Sequence, residues 1–103
     1  MKRVSLFILF ILTTVISAAQ TWEELNVRVT TLFSNGDYEK AVPAAQQLVN
    51  TIKKDLGDEN GTYATALFTL AELYRLTGQH NRAIPLFEQA RTGVIKFMGA
   101  NEL

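Results

Sequence analysis

"AELYRLTGQHNRAIPLFEQA", Ala71 to Ala90, is the stretch on which the fold turns. Leu67, Leu70, Ala71, Leu73 and Tyr74 lead into it at i, i+3, i+4, i+6 and i+7, an apolar stripe with helical spacing. Gly78 supplies the left-handed backbone that ends a helix. A second stripe follows: Ala83, Ile84, Phe87, Ala90, Val94 and then Phe97 or Met98, with Gly99 as the expected stop. The stretch therefore reads as helix, break, helix. Pro85 is compatible with this only near the start of the second helix, where backbone N–H groups have no intrahelical partner. It is expected at or just past the first turn.

The same plan occurs earlier in the chain. A shift of 42 residues sets Gly36 on Gly78, and Ala41-Val42-Pro43 on Ala83-Ile84-Pro85. The same shift brings Gln47 to Gln89, Lys54 to Lys96, Leu56-Gly57 to Met98-Gly99 and Leu25 to Leu67. The matches fall on the glycines and prolines that punctuate structure, which is the signature of a repeat. The first unit is expected to run as a helix from Trp22 to Ser34, a turn at Asn35-Gly36-Asp37, and a helix to about Leu56. "GDENG", Gly57 to Gly61, connects the units, with Asn60 or Thr62 as the cap of the next helix. No segment alternates with the period of a strand.

These residues resemble the tetratricopeptide repeat, in the longer, 42-residue variant found in kinesin light chains and many bacterial proteins. The second unit carries the pattern as Leu67, Leu70-Ala71, Tyr74, Gly78, Ala83, Phe87 and Ala90, and the resemblance spans Trp22 to Leu103. The first unit departs from it: Arg28-Val29 replace Leu-Ala, Leu32 replaces Tyr, and Ala45 replaces the aromatic. His80 stands where an aromatic is usual, Asn60-Gly61 where the variant has His-Pro, and Thr69 where it often has asparagine on its binding face. A kinesin-light-chain ligand is therefore not transferred to this chain. The resemblance implies an all-α fold in which two helix-turn-helix units, about residues 21–61 and 63–103, form a short right-handed α-solenoid and an incomplete array.

Ahead of these units lies "MKRVSLFILFILTTVISAAQ". Lys2 and Arg3, an uncharged run from Val4 to Ile16, and Ser17-Ala18-Ala19 are the three parts of a secretory signal peptide, with cleavage expected after Ala19. The run is short of the roughly 20 residues that span a bilayer, so no stable membrane anchor is expected after cleavage. The expected location is periplasmic or secreted, in a bacterial setting. Cysteine is absent, which excludes a disulfide framework, a thiol nucleophile and a lipid-modified cleavage site. Residues 20–103 hold eight basic and ten acidic side chains. No basic stripe exists to recruit nucleic acid.

Little in the sequence suggests catalysis, a cofactor or a metal. His80 is the one histidine and is expected to pack at the turn. Glu23-Glu24 and Asp58-Glu59 suit a helix start and a solvated loop better than an acid–base pair. The isolated glycines form no phosphate-binding motif. The expected role is binding, since in this fold the first helix of each unit lines a concave groove. The groove side should carry Glu23, Asn26, Thr30, Phe33, Thr65, Phe68, Glu72, Arg75 and Leu76. Phe33, Phe68 and Arg75 are of the types that anchor protein interfaces, although both phenylalanines equally suit packing between helices. The family's carboxylate clamp of lysines and asparagines is not reproduced; Asn26 and Arg75 alone suit such a role.

The leading expectation is a secreted module that binds a protein or peptide on its concave face. Two alternatives stand beside it. One is the N-terminal recognition or regulatory segment of a longer secreted protein with a downstream catalytic domain, such as a caspase-like peptidase. The other is a self-associating scaffold. Leu86, Val94, Phe97 and Met98 are expected to remain uncovered on the last helix and to mediate self-association or contact with a further repeat.

Overall fold

The computed structural model describes the backbone of residues 20–102 and the side chains of residues 20–97. The expected signal peptide, and Met98 in the expected self-association set, lie outside those limits. Among the described residues four helices follow one another: α1 (Trp22–Ser34), α2 (Tyr38–Leu56), α3 (Gly61–Leu76) and α4 (His80–Glu102). Each packs on the next in sequence, α1 on α2, α2 on α3 and α3 on α4. The result is an all-α solenoid of two hairpins, with no strand among the described residues.

Local chemistry sets the helix ends. Thr21 caps α1 by accepting the Glu24 N–H at 3.2 Å. Asn60 caps α3, its Oδ1 accepting the Tyr63 N–H at 2.8 Å. Its Nδ2 donates back to the carbonyls of Leu56 and Gly57, so one side chain ties the end of α2 to the start of α3. The two hairpin turns are the same motif. Gly36 and Gly78 adopt φ of 77° and 79°. The next N–H reaches back to close the preceding helix, Asp37 to Leu32 O at 2.9 Å and Gln79 to Tyr74 O at 2.7 Å. This is the Schellman arrangement, and it explains why glycine recurs at this point of both units.

The core is built largely from small side chains and leucines. Leu25, Val29, Ala41, Ala45, Leu48, Ile52, Ala71, Leu73, Ala83 and Ala90 are all nearly inaccessible. Alanines at the crossings let backbones approach closely, and Gly93 sits so near Ala64 that an added Cβ would meet it at 3.5 Å. Tyr74 links three helices: it is buried on α3, its hydroxyl accepts from Gln46 Nε2 of α2 at 2.6 Å, and the Arg82 guanidinium of α4 lies 5.9 Å from its ring centre.

Pro43 and Pro85 are each the sixth residue of their helix, just past the first turn as expected, yet beyond the N–H groups that lack an intrahelical partner. Both helices run on through them. The carbonyls they leave without an intrahelical partner belong to Glu39 and Asn81, both exposed residues. Gly99 does not stop α4, which continues to Glu102. His80 does not pack at the turn; it is exposed as the first residue of α4. Ile84, placed in the apolar stripe with Ala83 and Phe87, is 56% exposed, whereas Leu86 packs on the core instead of remaining free.

Candidate functional site

The first helices of the two hairpins, α1 and α3, face each other across a shallow groove of about 260 Å³. Asn26, Val29, Thr30, Phe33 and Ser34 line it from α1, and Phe68, Thr69 and Glu72 from α3. On each helix the lining positions recur one turn apart, 26, 29/30 and 33/34 on α1 and 68/69 and 72 on α3, so each set is one helical face. The apolar part is Phe33 and Phe68 over the buried Val29. Phe33 is half-buried and meets Tyr38 edge-on, with ring centres 5.5 Å apart. Phe68 is 55% exposed yet also meets Phe87 edge-on at 5.3 Å, so it is held from behind by α4. Both rings are thus propped in place while offering surface to a ligand.

The polar part presents mostly acceptors. The Thr30 hydroxyl donates to the Asn26 carbonyl at 2.8 Å and Thr69 to the Thr65 carbonyl at 3.0 Å. Each threonine then has only oxygen lone pairs and a methyl group left to offer. The Asn26 side-chain amide makes no hydrogen bond among the described residues, leaving two donors and an acceptor free. Glu72 pairs with Arg75 one turn on, with Arg75 Nε donating to Oε2 at 3.1 Å and Nη2 donating to Oε1. That hydrogen bond lowers the Glu72 pKa; slight desolvation opposes it, and the positive charge of Arg75 adds to it. The Arg75 pKa is raised in turn by its hydrogen bond to Glu72 and by the carboxylate charge.

The groove gathers Asn26, Thr30, Phe33, Phe68 and Glu72 of the nine residues expected there. Thr65 lines two neighbouring depressions instead. Leu76 borders the turn at Gly36–Lys40. Glu23 is exposed in the first turn of α1, and Arg75 reaches the groove only through Glu72. Val29, Ser34 and Thr69 are additional lining residues. Thr69 was legible from spacing, since it lies four residues after Thr65 and three before Glu72. Val29 was read as a departure from a core pattern, and its edge on the groove follows from how α1 lies against α3.

Two hairpins of this length, each closed by a glycine turn and stacked in sequence, have the geometry of a known repeat, and the family model for the tetratricopeptide repeat matches residues 17–94. The chain belongs to the tetratricopeptide repeat family. No curated protein and no solved structure matches it. Tetratricopeptide repeats are non-catalytic modules that mediate protein–protein interaction. Among the described residues no group of three or more His, Asp or Glu is placed to hold a metal, and no helix is long and apolar enough to cross a membrane.

Proposed function

We propose that this tetratricopeptide repeat chain is exported and binds a short segment of a partner protein in the α1–α3 groove. The observation that carries the reading is the pairing of two propped aromatic rings with the free amide of Asn26 across one groove. A peptide brings what such a lining accepts: an apolar side chain for Phe33 and Phe68, and main-chain N–H and C=O groups for Asn26 and the threonine oxygens. The Glu72 carboxylate is already engaged by Arg75, so it favours no cationic ligand strongly. Export is supported by Lys2-Arg3, the uncharged run and Ser17-Ala18-Ala19. Intact mass of the protein recovered outside the cytoplasm should begin at Gln20; a chain there that retains Met1 contradicts that part.

The groove is tested with peptides selected from a random display library on the immobilised protein. Amide shift changes should concentrate on Asn26, Thr30, Phe33, Thr69 and Glu72. Thr30→Arg, which fills the groove from an exposed position, should abolish binding with helicity unchanged. Phe68→Ala should weaken binding by about 2 kcal/mol or more, the scale of an interface anchor. Selected peptides whose footprint falls on α2 or α4, or whose affinity is indifferent to Thr30→Arg, overturn the reading.

A further inference from the structure

Next to the peptide groove, and sharing Phe68 with it, lies a second depression of about 520 Å³ between α3 and α4. Ala64, Thr65, Phe68, Phe87, Ala90, Arg91, Val94 and Ile95 form its walls. Ile95 is 57% exposed and Val94 43%, and Ile84 continues the same flank of α4. The 42-residue repeat shows what the equivalent flank does in the first hairpin. Val42, Gln46, Val49 and Ile52 of α2 stand where α4 has Ile84, Glu88, Arg91 and Val94. In α2 those residues are buried or half-buried, and Gln46 is bonded to Tyr74 of α3. This flank is an interface in one hairpin and open in the other.

Two observations choose the occupant. A helix like α1 does not fit. Where α3 buries Tyr63, Ala66, Leu70 and Leu73, α1 has Thr21, Glu24, Arg28 and Thr31, all exposed, so head-to-tail stacking would bury two charges against an apolar wall. The flank of α4 also differs from that of α2. Neutral Gln46 and Val49 are replaced by the oppositely charged, exposed Glu88 and Arg91. Along the stripe Ile84, Glu88, Arg91, Ile95 the spacing reads four, three, four, the same in both directions. An antiparallel pair of α4 helices about a two-fold axis therefore sets Ile84 on the other copy's Ile95, and Glu88 on the other copy's Arg91. Alternating steps of three and four are those of a helix–helix seam, and the isologous arrangement makes each contact twice.

We infer that the chain forms a two-fold dimer through α4, in which Ile84 and Ile95 cover each other and Glu88 pairs with Arg91 across the axis. The seam meets the α3–α4 depression at Arg91 and Ile95; Asn26, Thr30, Phe33 and Glu72 of the α1–α3 groove lie outside it, so the dimer is tested separately from the peptide reading. Leu86, which packs on the core, takes no part.

Sedimentation velocity on the chain as recovered from expressing cells, across a wide concentration range and at low salt, tests this. The expected species is a dimer and nothing larger. Ile84→Glu or Ile95→Glu should leave it monomeric, with helicity by circular dichroism unchanged. Glu88→Arg alone sets arginine on arginine, and Arg91→Glu alone sets glutamate on glutamate; each should weaken the dimer by about tenfold or more. An equimolar mixture of those two variants restores both opposite-charge pairs and should form a one-to-one heterodimer. A monomeric parent chain, growth into larger assemblies, indifference to the isoleucine changes, or a mixture that associates no better than its components overturns the proposal. Phe68 is left unaltered because it also borders the peptide groove.

Discussion

Glycine at one position of this chain is indispensable and at another is replaceable, and backbone conformation separates the two. Gly78 sits at φ 79° in the Schellman turn, whereas Gly61 opens α3 with helical backbone, and neither has an atom within 4 Å of where a Cβ would stand. Space is therefore not the deciding term. Gly78→Ala should destabilise the protein by about 1–2 kcal/mol through left-handed strain. Gly61→Ala should stabilise it by about 0.4–1 kcal/mol by restricting the unfolded chain. Urea denaturation of the two variants checks the opposite signs. The Glu72–Arg75 pair yields a second expectation at this scale. The Glu72 pKa is lowered on folding, so its contribution is present above the ordinary carboxylate range and is lost as pH falls through the lowered value. Both side chains are solvated, so the effect on stability is small. Its clear sign is local: Arg75→Ala should return the Glu72 titration, followed by carboxyl-carbon NMR, upward to the ordinary range.

At the scale of the element, the prolines are the informative feature. Pro43 and Pro85 occupy the sixth position of α2 and α4, deep enough to remove an intrahelical bond. The helices persist because packing on α1 and α3 holds them and because the orphaned carbonyls belong to exposed residues. If that account is right, Pro85→Ala should raise stability, by at most the roughly 3 kcal/mol that separates proline from alanine in a helix interior. A fall in the denaturation midpoint would mean instead that the proline sets a bend on which the α3–α4 packing depends. The stripe of α4 was readable in outline only. Ala83, Phe87 and Ala90 were placed toward α3 by their spacing, and they are buried or half-buried there. Ile84 and Leu86 were exchanged, because α4 carries apolar residues on both flanks and helical periodicity does not say which flank meets a neighbour. The chain's own first hairpin held the clue: Ala44, at the position of Leu86, is buried in α2.

On the scale of the whole molecule the two ends of the solenoid are unlike. α1 turns Glu24, Arg28 and Thr31 outward, and α4 turns Ile84 and Ile95 outward. In the proposed dimer this asymmetry is what should keep copies from adding end to end. Glu24→Ala, Arg28→Leu and Thr31→Leu together give α1 the residues that α3 has at 66, 70 and 73. The triple variant should sediment as species larger than the parent. No change in size would mean that shape, and not polarity, prevents α1 from entering the α3–α4 depression.

The number, type and limits of most of the helices were determined by the sequence itself. They depend on interactions within a few residues: the glycine turns, the caps at Thr21 and Asn60, and the three-or-four spacing of Leu67, Leu70, Ala71 and Tyr74. The repeat register was likewise legible, because Gly36 and Gly78 serve the same turn. Only the tertiary structure decided which faces meet. Side chains far apart in sequence, such as Asn26 and Glu72, share a groove because α2 holds α1 beside α3. The Glu72–Arg75 ion pair, by contrast, is a contact three residues apart within α3, which local spacing does contain. Burial depends on what lies opposite, and that is settled by long-range packing, which no local spacing contains.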